Sequence, residues 1–166
     1  IYNGVERIDM LEGTQPSFAT GRPFFFTIGQ IRRKKNFHLL VDVMRHFPEY
    51  DLYICGDAHF AYAEEVRNLI REKQVTNVFL TDVITQSEKI WLYRNCEAFL
   101  FPSEGEGFGL PVVEAMQFGK AVFAANRTSL PEVCNGHAIM GNIWIQNLWC
   151  KVSGNICLIS IKMRNA

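Results

Sequence analysis

Residues 98–116 read AFLFPSEGEGFGLPVVEAM and carry the clearest structural signal in the chain. Four apolar residues that end at Pro102 predict a short buried strand. A loop with three glycines follows, and a helix is then predicted over Leu110–Phe118, with Gly119 closing it. Pro111 suits the second position of that helix, because the N–H that proline lacks would have no partner there. The stretch therefore predicts a strand, a tight loop and a helix in direct succession.

The same alternation of strands and helices extends in both directions from this stretch. Apolar runs predict further strands, and apolar residues at helical spacing predict further helices. The strands are expected at 24–28, 52–55, 77–80 and 121–124, and the helices around 39–47, 66–70 and 90–94, the last with Ser87 as its N-cap. Because the strands are apolar throughout, they indicate a sheet that is covered on both faces. The predicted fold class is α/β, a doubly wound, Rossmann-like parallel sheet.

The composition describes one globular domain. The chain has 166 residues, 17 Lys and Arg against 17 Asp and Glu, and 48% hydrophobic residues. The charge balance argues against a nucleic-acid partner, the hydrophobic content argues against disorder, and the lack of a run of about 18 apolar residues argues against a membrane-spanning segment. The chain starts without Met or a signal-peptide pattern, so we expect it to be a fragment of a longer protein.

The cysteines and histidines predict no metal site. Five cysteines is an odd count, their spacing is wide, and no C-x-x-C occurs. That pattern argues against a disulfide framework or a zinc site, and no pair of histidines has ligand spacing with a third ligand nearby. Cys55 and Cys96 sit beside apolar runs and are expected to be buried. A reducing, cytoplasmic setting is therefore expected.

Two loops at the carboxyl ends of predicted strands are the candidate sites, because ligands bind there in doubly wound sheets. The loop at 29–36 holds four consecutive cations before a helix, where a phosphate would offset their repulsion with the positive helix end. It contains neither G-x-G-x-x-G nor a P-loop. A solvated basic loop is an equally good interpretation.

The second loop is the glycine-rich one, flanked by Glu106 and Glu114, and a carboxylate can accept two hydrogen bonds from a vicinal diol. For Glu114 alone, the favourable interaction with a helix N-terminus is an alternative explanation.

The sequence resembles the retaining glycosyltransferases of the GT-B fold, specifically the large GT4 family. The motif that carries the resemblance is Glu106-x7-Glu114 with GFGLP inside it and Ala115-Met116 after it. Further matching segments are Asn3-Gly4-Val5, residues 29–36, Tyr53-Ile54-Cys55-Gly56-Asp57 and Ser129-Leu130-Pro131-Glu132-Val133. The resemblance covers roughly residues 1–137 and implies the C-terminal half of a GT-B fold.

The resemblance also implies roles for individual residues. Lys35 would neutralise the donor diphosphate, Glu106 would hold sugar hydroxyls, and Glu114 would take the ribose hydroxyls. The backbone N–H groups of Phe108, Gly109 and Leu110 would contact sugar or phosphate. Residues that would line the donor site are Gly29, Gln30, Arg32, Val83 and Gly107. Gln30 stands where the family often has Arg. No D-x-D occurs, so the resemblance implies metal-independent transfer with no cofactor besides the donor, a nucleotide diphosphate sugar.

A GT-B enzyme has a second, N-terminal domain that binds the acceptor, and this chain is expected to lack it. We therefore expect residues 1–20 to be an interdomain segment and residues 21–137 to be the nucleotide-sugar-binding domain. That domain would bind a UDP-, GDP- or ADP-sugar without transferring its hexose. The acceptor would be a glycan or a lipid, and the missing domain would provide any peripheral contact with the inner face of a membrane. A stand-alone nucleotide-sugar-binding module and a phosphate-binding interaction domain without a sugar role are the alternatives.

The resemblance stops after His137, and residues 138–166 form an atypical tail. The segment has no helical periodicity, and the side chains of Trp144 and Trp149 are expected to be exposed. Back-translated and read in a shifted frame, residues 144–147 encode Asp, then Pro, Thr or Ser, then Glu or Lys. This is close to the Asp-Pro-Glu that the family has here. We interpret the sequence from about residue 139 as the product of a frameshift, with a divergent C-terminal extension as the alternative. No function is expected for Trp144, Trp149 or Cys157.

Overall fold

The computed structural model describes residues 6–141, which form one parallel sheet with helices on both faces. The six strands are β1 (Phe24–Ile28), β2 (Asp51–Cys55), β3 (Val78–Leu80), β4 (Ala98–Phe101), β5 (Ala121–Ala125) and β6 (Ile139–Gly141). The helices are α1 (Phe37–Met44), α2 (Ala61–Glu72), α3 (Gln86–Asn95), α4 (Leu110–Gln117) and α5 (Leu130–Cys134). A short 3-10 turn at Arg33–Lys35 precedes α1. The predicted α/β class and parallel sheet are confirmed.

Two hydrophobic cores cover the two faces of the sheet, as the wholly apolar strands predicted. Successive strand side chains point to opposite faces, and the two cores divide them accordingly. Phe25, Leu52, Ile54 and Leu100 join α1 and α2 in one core, and Phe24, Phe26, Tyr53 and Phe99 join α3 and α4 in the other. Each fully buried aromatic side chain contributes about 2 kcal/mol through removal of apolar area from water.

The order of the strands places a crevice at the centre of the sheet. The order is β3-β2-β1-β4-β5-β6, so β1 and β4 are neighbours. From β1 the chain builds one half of the sheet and then returns to build the other half from β4. The loops after β1 and β4 therefore leave the sheet in opposite directions, which opens the crevice where ligands bind in doubly wound sheets.

The structure differs from the sequence prediction at the start of α3 and after β5. The N-cap of α3 is Thr85, so the choice of Ser87 was wrong. Thr85 and Glu88 form a capping box, in which the Thr85 hydroxyl accepts from the Glu88 N–H at 3.2 Å and the Glu88 carboxylate accepts from the Thr85 N–H at 2.8 Å. The short elements α5 and β6 were not predicted. β6 extends the sheet by pairing with β5.

Several expectations concern residues outside the described range. They are the joining segment at 3–5, the frameshift beyond residue 141, and the absence of function at Trp144, Trp149 and Cys157. Within residues 6–141, Cys55 and Cys96 are buried free thiols, as expected, and burial raises the pKa of each to about 12. No helix in that range is both long enough and apolar enough to cross a bilayer.

Candidate functional site at the carboxyl edge of the sheet

The loop after β1 and the loop after β4 are tied together across the central crevice. We call residues 29–36 the cationic loop and residues 102–109 the glycine loop. The Glu104 N–H donates to the Lys34 carbonyl at 2.8 Å, and the Asn36 side-chain amide donates to the Pro102 carbonyl at 3.2 Å. Because both bonds involve a backbone group, they fix the two loops relative to each other even though they are about 70 residues apart in sequence.

Lys35 and Glu106 form a nearly buried ion pair where the two loops meet. The Lys35 Nζ lies 2.5 Å from Glu106 Oε1, and the two side chains are 10% and 13% exposed. The buried Ser103 hydroxyl donates to the same oxygen at 2.5 Å, and the Phe101 ring lies 4.9 Å from the ammonium. The other oxygen, Glu106 Oε2, accepts no hydrogen bond from any group in residues 6–141. An ammonium has three N–H donors, so both partners keep hydrogen-bonding capacity for a ligand.

Arg32 and Arg33, two further cations of the cationic loop, make other contacts. The Arg32 guanidinium lies 4.1 Å above the Phe60 ring, and Arg33 pairs with Glu65 at the surface. Lys35 is the cation of this loop that is buried. Two of the four cations thus have carboxylate partners within the protein, Arg33 with Glu65 on α2 and Lys35 with Glu106 in the glycine loop.

The loop after β5 holds the backbone of Glu106. The Glu106 N–H donates to the Thr128 hydroxyl at 3.2 Å, and the Ser129 hydroxyl donates to the Glu106 carbonyl at 3.1 Å. Thr128 has a φ of 47°, a left-handed conformation that is unusual for a non-glycine residue. Sequence reasoning missed Thr128 and saw Ser129 only as part of a matching segment, because nothing in the spacing shows that this loop contacts the glycine loop.

The glycine loop ends in a left-handed turn that starts α4. Gly109 has a φ of 78°, a conformation that favours glycine, and a Cβ placed there would also displace the end of the Leu130 side chain, 2.6 Å away. Nothing within the described part of the chain accepts a hydrogen bond from the N–H groups of Phe108, Gly109 or Leu110. These are the groups that the resemblance assigned to sugar or phosphate. Unpaired N–H groups at a helix N-terminus are donors suited to an anion.

Glu114, on α4, is held by two side chains of α3. Lys89 Nζ lies 2.8 Å from Glu114 Oε1, and the Tyr93 hydroxyl lies 2.9 Å from Oε2. Burial raises the pKa of Tyr93 well above its ordinary value, and the negative charge of Glu114 raises it further, so the hydroxyl stays a donor. Lys89 and Tyr93 are four residues apart and therefore share one face of the helix. Sequence reasoning missed both, although this spacing was visible.

The remaining predicted site residues lie at the same edge of the sheet. Gly29 faces Lys35, whose Nζ would lie 3.3 Å from a Cβ placed on the glycine. Gln30 and Gly107 are exposed, and Val83, after β3, is 71% exposed. A Cβ at Gly56 would lie 2.1 Å from the Gly29 carbonyl oxygen, so the turns that end β1 and β2 approach too closely for any other residue.

The structure also brings together three potential metal ligands that the sequence spacing did not reveal. Single ligand atoms of Asp57, His59 and Asp82 all lie within 4.8 Å of one another, at the ends of β2 and β3. His59 Nδ1 lies 2.6 Å from Asp57 Oδ1. That hydrogen bond raises the pKa of His59 and lowers the pKa of the Asp57 carboxyl. An exposed acid–histidine pair of this kind is explained by the hydrogen bond alone.

Comparison with known proteins identifies the group to which this geometry belongs. Residues 13–152 match the sequence model of the family described as Glycosyl transferases group 1. The serotype-specific mannosyltransferase WbdA of Escherichia coli is 32% identical over 126 residues, which make up 72% of this chain and 16% of that protein. The chain therefore spans less than a fifth of the length of this relative.

Solved structures show the same fold. TarM superposes with a TM-score of 0.71 at 19% identity, over 91% of this chain and 32% of that one. Anabaena Alr3699/HepE, solved in complex with UDP and glucose, superposes with a TM-score of 0.69 at 21% identity, over 81% of this chain and 39% of that one. The fold is thus that of GT-B glycosyltransferase structures, as the resemblance implied.

Proposed function

The chain belongs to the glycosyl transferases group 1 family, and we propose that it is the donor-binding part of a retaining glycosyltransferase. The observation that carries this proposal is the composition of one edge of the sheet. That edge combines the Lys35–Glu106 pair, the unpaired N–H groups at the start of α4, and Glu114. A nucleotide diphosphate sugar offers a phosphate, sugar hydroxyls and a ribose diol, which are the chemical partners of those groups.

The diphosphate would bind between the two loops. Lys35 is nearly buried, so its charge acts on a phosphate with less screening than a surface lysine would. The Phe108, Gly109 and Leu110 N–H groups would add fixed donors from the glycine loop. As the bond from the sugar to the diphosphate breaks, negative charge grows on the leaving group. Donors already in place would stabilise it without reorganisation.

The sugar would be placed by Glu106 and the nucleoside by Glu114. Glu106 Oε2 is the carboxylate oxygen that carries no protein hydrogen bond among residues 6–141, and it would accept from sugar hydroxyls. Glu114 would accept from the ribose hydroxyls, and the exposed Val83 would pack against the base. Gly29, Gln30 and Arg32 would complete the donor side of the crevice.

The transfer itself would involve more than this chain. We propose that a hexose passes from a UDP-, GDP- or ADP-sugar to a glycan or lipid acceptor held by a separate N-terminal domain. That domain would also provide any peripheral contact with the inner face of a membrane, and the enzyme would act in the cytoplasm. WbdA is named a mannosyltransferase, and HepE was solved with UDP and glucose. We also propose that no metal is needed, because Lys35 and the backbone N–H groups supply the positive potential.

Calorimetric titration of the 166-residue chain with UDP-, GDP- and ADP-sugars tests this function. At least one donor should bind, and Glu106→Ala should weaken it by about tenfold, the effect of losing a hydrogen bond to a charged group. Glu64→Ala is the matched control, because Glu64 pairs with Arg71 on the exposed face of α2. Binding of no donor, or equal binding by Glu106→Ala and wild type, would contradict the proposal.

A further inference from the structure

The carboxylate of Glu114 is held at both of its oxygens by one neighbouring helix. Lys89 contacts Oε1 and Tyr93 contacts Oε2. The Lys89 and Glu114 side chains are 17% and 18% exposed, while Tyr93 is fully buried. The Tyr93 hydroxyl also lies 3.1 Å from the Pro111 carbonyl, but it has one proton, and Glu114 is the closer acceptor. The carboxylate is therefore fixed in position and in rotation.

This arrangement leaves each oxygen of Glu114 able to accept again. An ionised carboxylate has about four acceptor positions, two on each oxygen. In residues 6–141, one position on each oxygen is used by α3. One acceptor position therefore remains on each oxygen. A vicinal diol presents two O–H donors side by side, so a carboxylate fixed in this way matches a diol better than it matches a single hydroxyl.

We propose that Lys89 is a positioning residue that orients Glu114 toward both hydroxyls of the donor ribose and thereby selects ribonucleotides over deoxyribonucleotides. This inference rests on the proposed function. The Lys89 ammonium contacts Glu114 Oε1 at 2.8 Å, so the role proposed for Lys89 is exerted through that carboxylate. Tyr93 fixes the second oxygen, and Lys89 fixes the first.

The alternative role for Lys89, direct contact with phosphate, predicts a different pattern of binding. A phosphate contact would be lost equally for a ribonucleotide and its deoxy analogue. A positioning role would be lost only for the ligand that has both hydroxyls. Loss of one hydroxyl that bonds to a charged carboxylate should weaken binding by about tenfold.

Titration of the 166-residue chain with two nucleotide pairs, UDP with dUDP and GDP with dGDP, tests the proposal. For whichever base the wild type binds, its affinity for the ribonucleotide should exceed its affinity for the deoxynucleotide by about tenfold. In Lys89→Met this preference should fall below about threefold, while the affinity for the deoxynucleotide stays the same. Lys89→Arg keeps a cationic donor and should keep most of the preference. Lys73→Met removes a lysine that pairs with Asp42 and should change neither affinity.

The outcomes separate this inference from the function on which it rests. If the wild type binds ribonucleotide and deoxynucleotide equally, donor binding stands and the inference fails. If Lys89→Met weakens both ligands by the same factor, Lys89 contacts phosphate and the inference fails. If no nucleotide binds to the wild type, the proposed function fails first and the inference falls with it. Melting curves of each variant show whether the chain remains folded.

Discussion

Two carboxylates at opposite edges of the sheet, one fully buried and one nearly buried, use their oxygens in different ways. At the amino edge, Asp51 is fully buried, with Oδ1 bound by Arg22 at 2.9 Å and Oδ2 by the Thr20 hydroxyl at 2.5 Å. At the carboxyl edge, Glu106 has two donors on Oε1 and, within residues 6–141, none on Oε2. Asp51 has both oxygens held by donors inside the fold, whereas Oε2 of Glu106 has no donor in the described residues and lies at an edge that a ligand can reach.

The cations that pair with these two carboxylates, Arg22 and Lys35, differ in the same way. Arg22 is 45% exposed at its side chain and forms part of a closed network that also reaches the Pro48 carbonyl. Lys35 is 10% exposed and has N–H donors to spare. We therefore expect changes at the amino edge to alter the free energy of unfolding, and changes at the carboxyl edge to alter ligand affinity.

The largest expected effect is loss of stability in Asp51→Ala. Removing this carboxylate leaves the Thr20 hydroxyl and the inner side of Arg22 without their buried acceptor. We expect the free energy of unfolding to fall by about 3 kcal/mol. Urea denaturation followed by circular dichroism measures it. Nucleotide affinity of the folded protein should not change, and a loss of affinity larger than the loss of stability would break the distinction between the two edges.

The second effect is loss of phosphate affinity in Lys35→Met. The substitution removes the nearly buried ammonium, so a nucleoside diphosphate should bind more weakly by about 2 kcal/mol. Affinity for the parent nucleoside, which has no phosphate, should stay the same. Stability should also fall, because the nearly buried Glu106 loses its cation, but by less than in Asp51→Ala, because the Ser103 hydroxyl still donates to Glu106.

Titration of both ligands against Lys35→Met and Lys73→Met checks this result. Lys73 pairs with Asp42 and is the more exposed of the two lysines, so its loss should leave both affinities as they are. An equal loss for nucleoside and nucleoside diphosphate would mean that Lys35 shapes the crevice and does not bind phosphate.

The elements of this fold were predictable where the sequence carries a local signal. β4 is four apolar residues before a proline, and α4 has Pro111 as its second residue, so both could be located from neighbours in the chain. α5 has five residues and β6 has three, which is too short for any periodicity to appear. At α3 the capping box Thr85-x-x-Glu88 was present in the sequence, but Ser87 also has the chemistry of an N-cap and was chosen instead.

The site was predictable as a set of residues and not as a set of contacts. The residue types of Lys35, Glu106 and Glu114 suggested phosphate and diol chemistry, and the sheet topology brings the first two together. Which oxygen of Glu106 stays available depends on Ser103, whose burial the sequence did not show. The partners of Glu114 come from α3, a helix that sequence reasoning treated only as packing against the sheet.

The smallest expected effect, in Ser103→Ala, tests the point on which the two edges differ. Ser103 and Lys35 both donate to Oε1 of Glu106 and leave Oε2 without a donor in residues 6–141. Without the hydroxyl the carboxylate can rotate, so affinity for a nucleotide sugar should fall by about 1 kcal/mol, while affinity for the nucleoside diphosphate stays the same. Ser87→Ala removes a hydroxyl that donates to Thr14 and is the matched control. Titration with both ligands distinguishes the outcomes. A loss shared equally by both would show that Ser103 supports the whole glycine loop, and the spare oxygen of Glu106 would then have no separate role in holding the sugar.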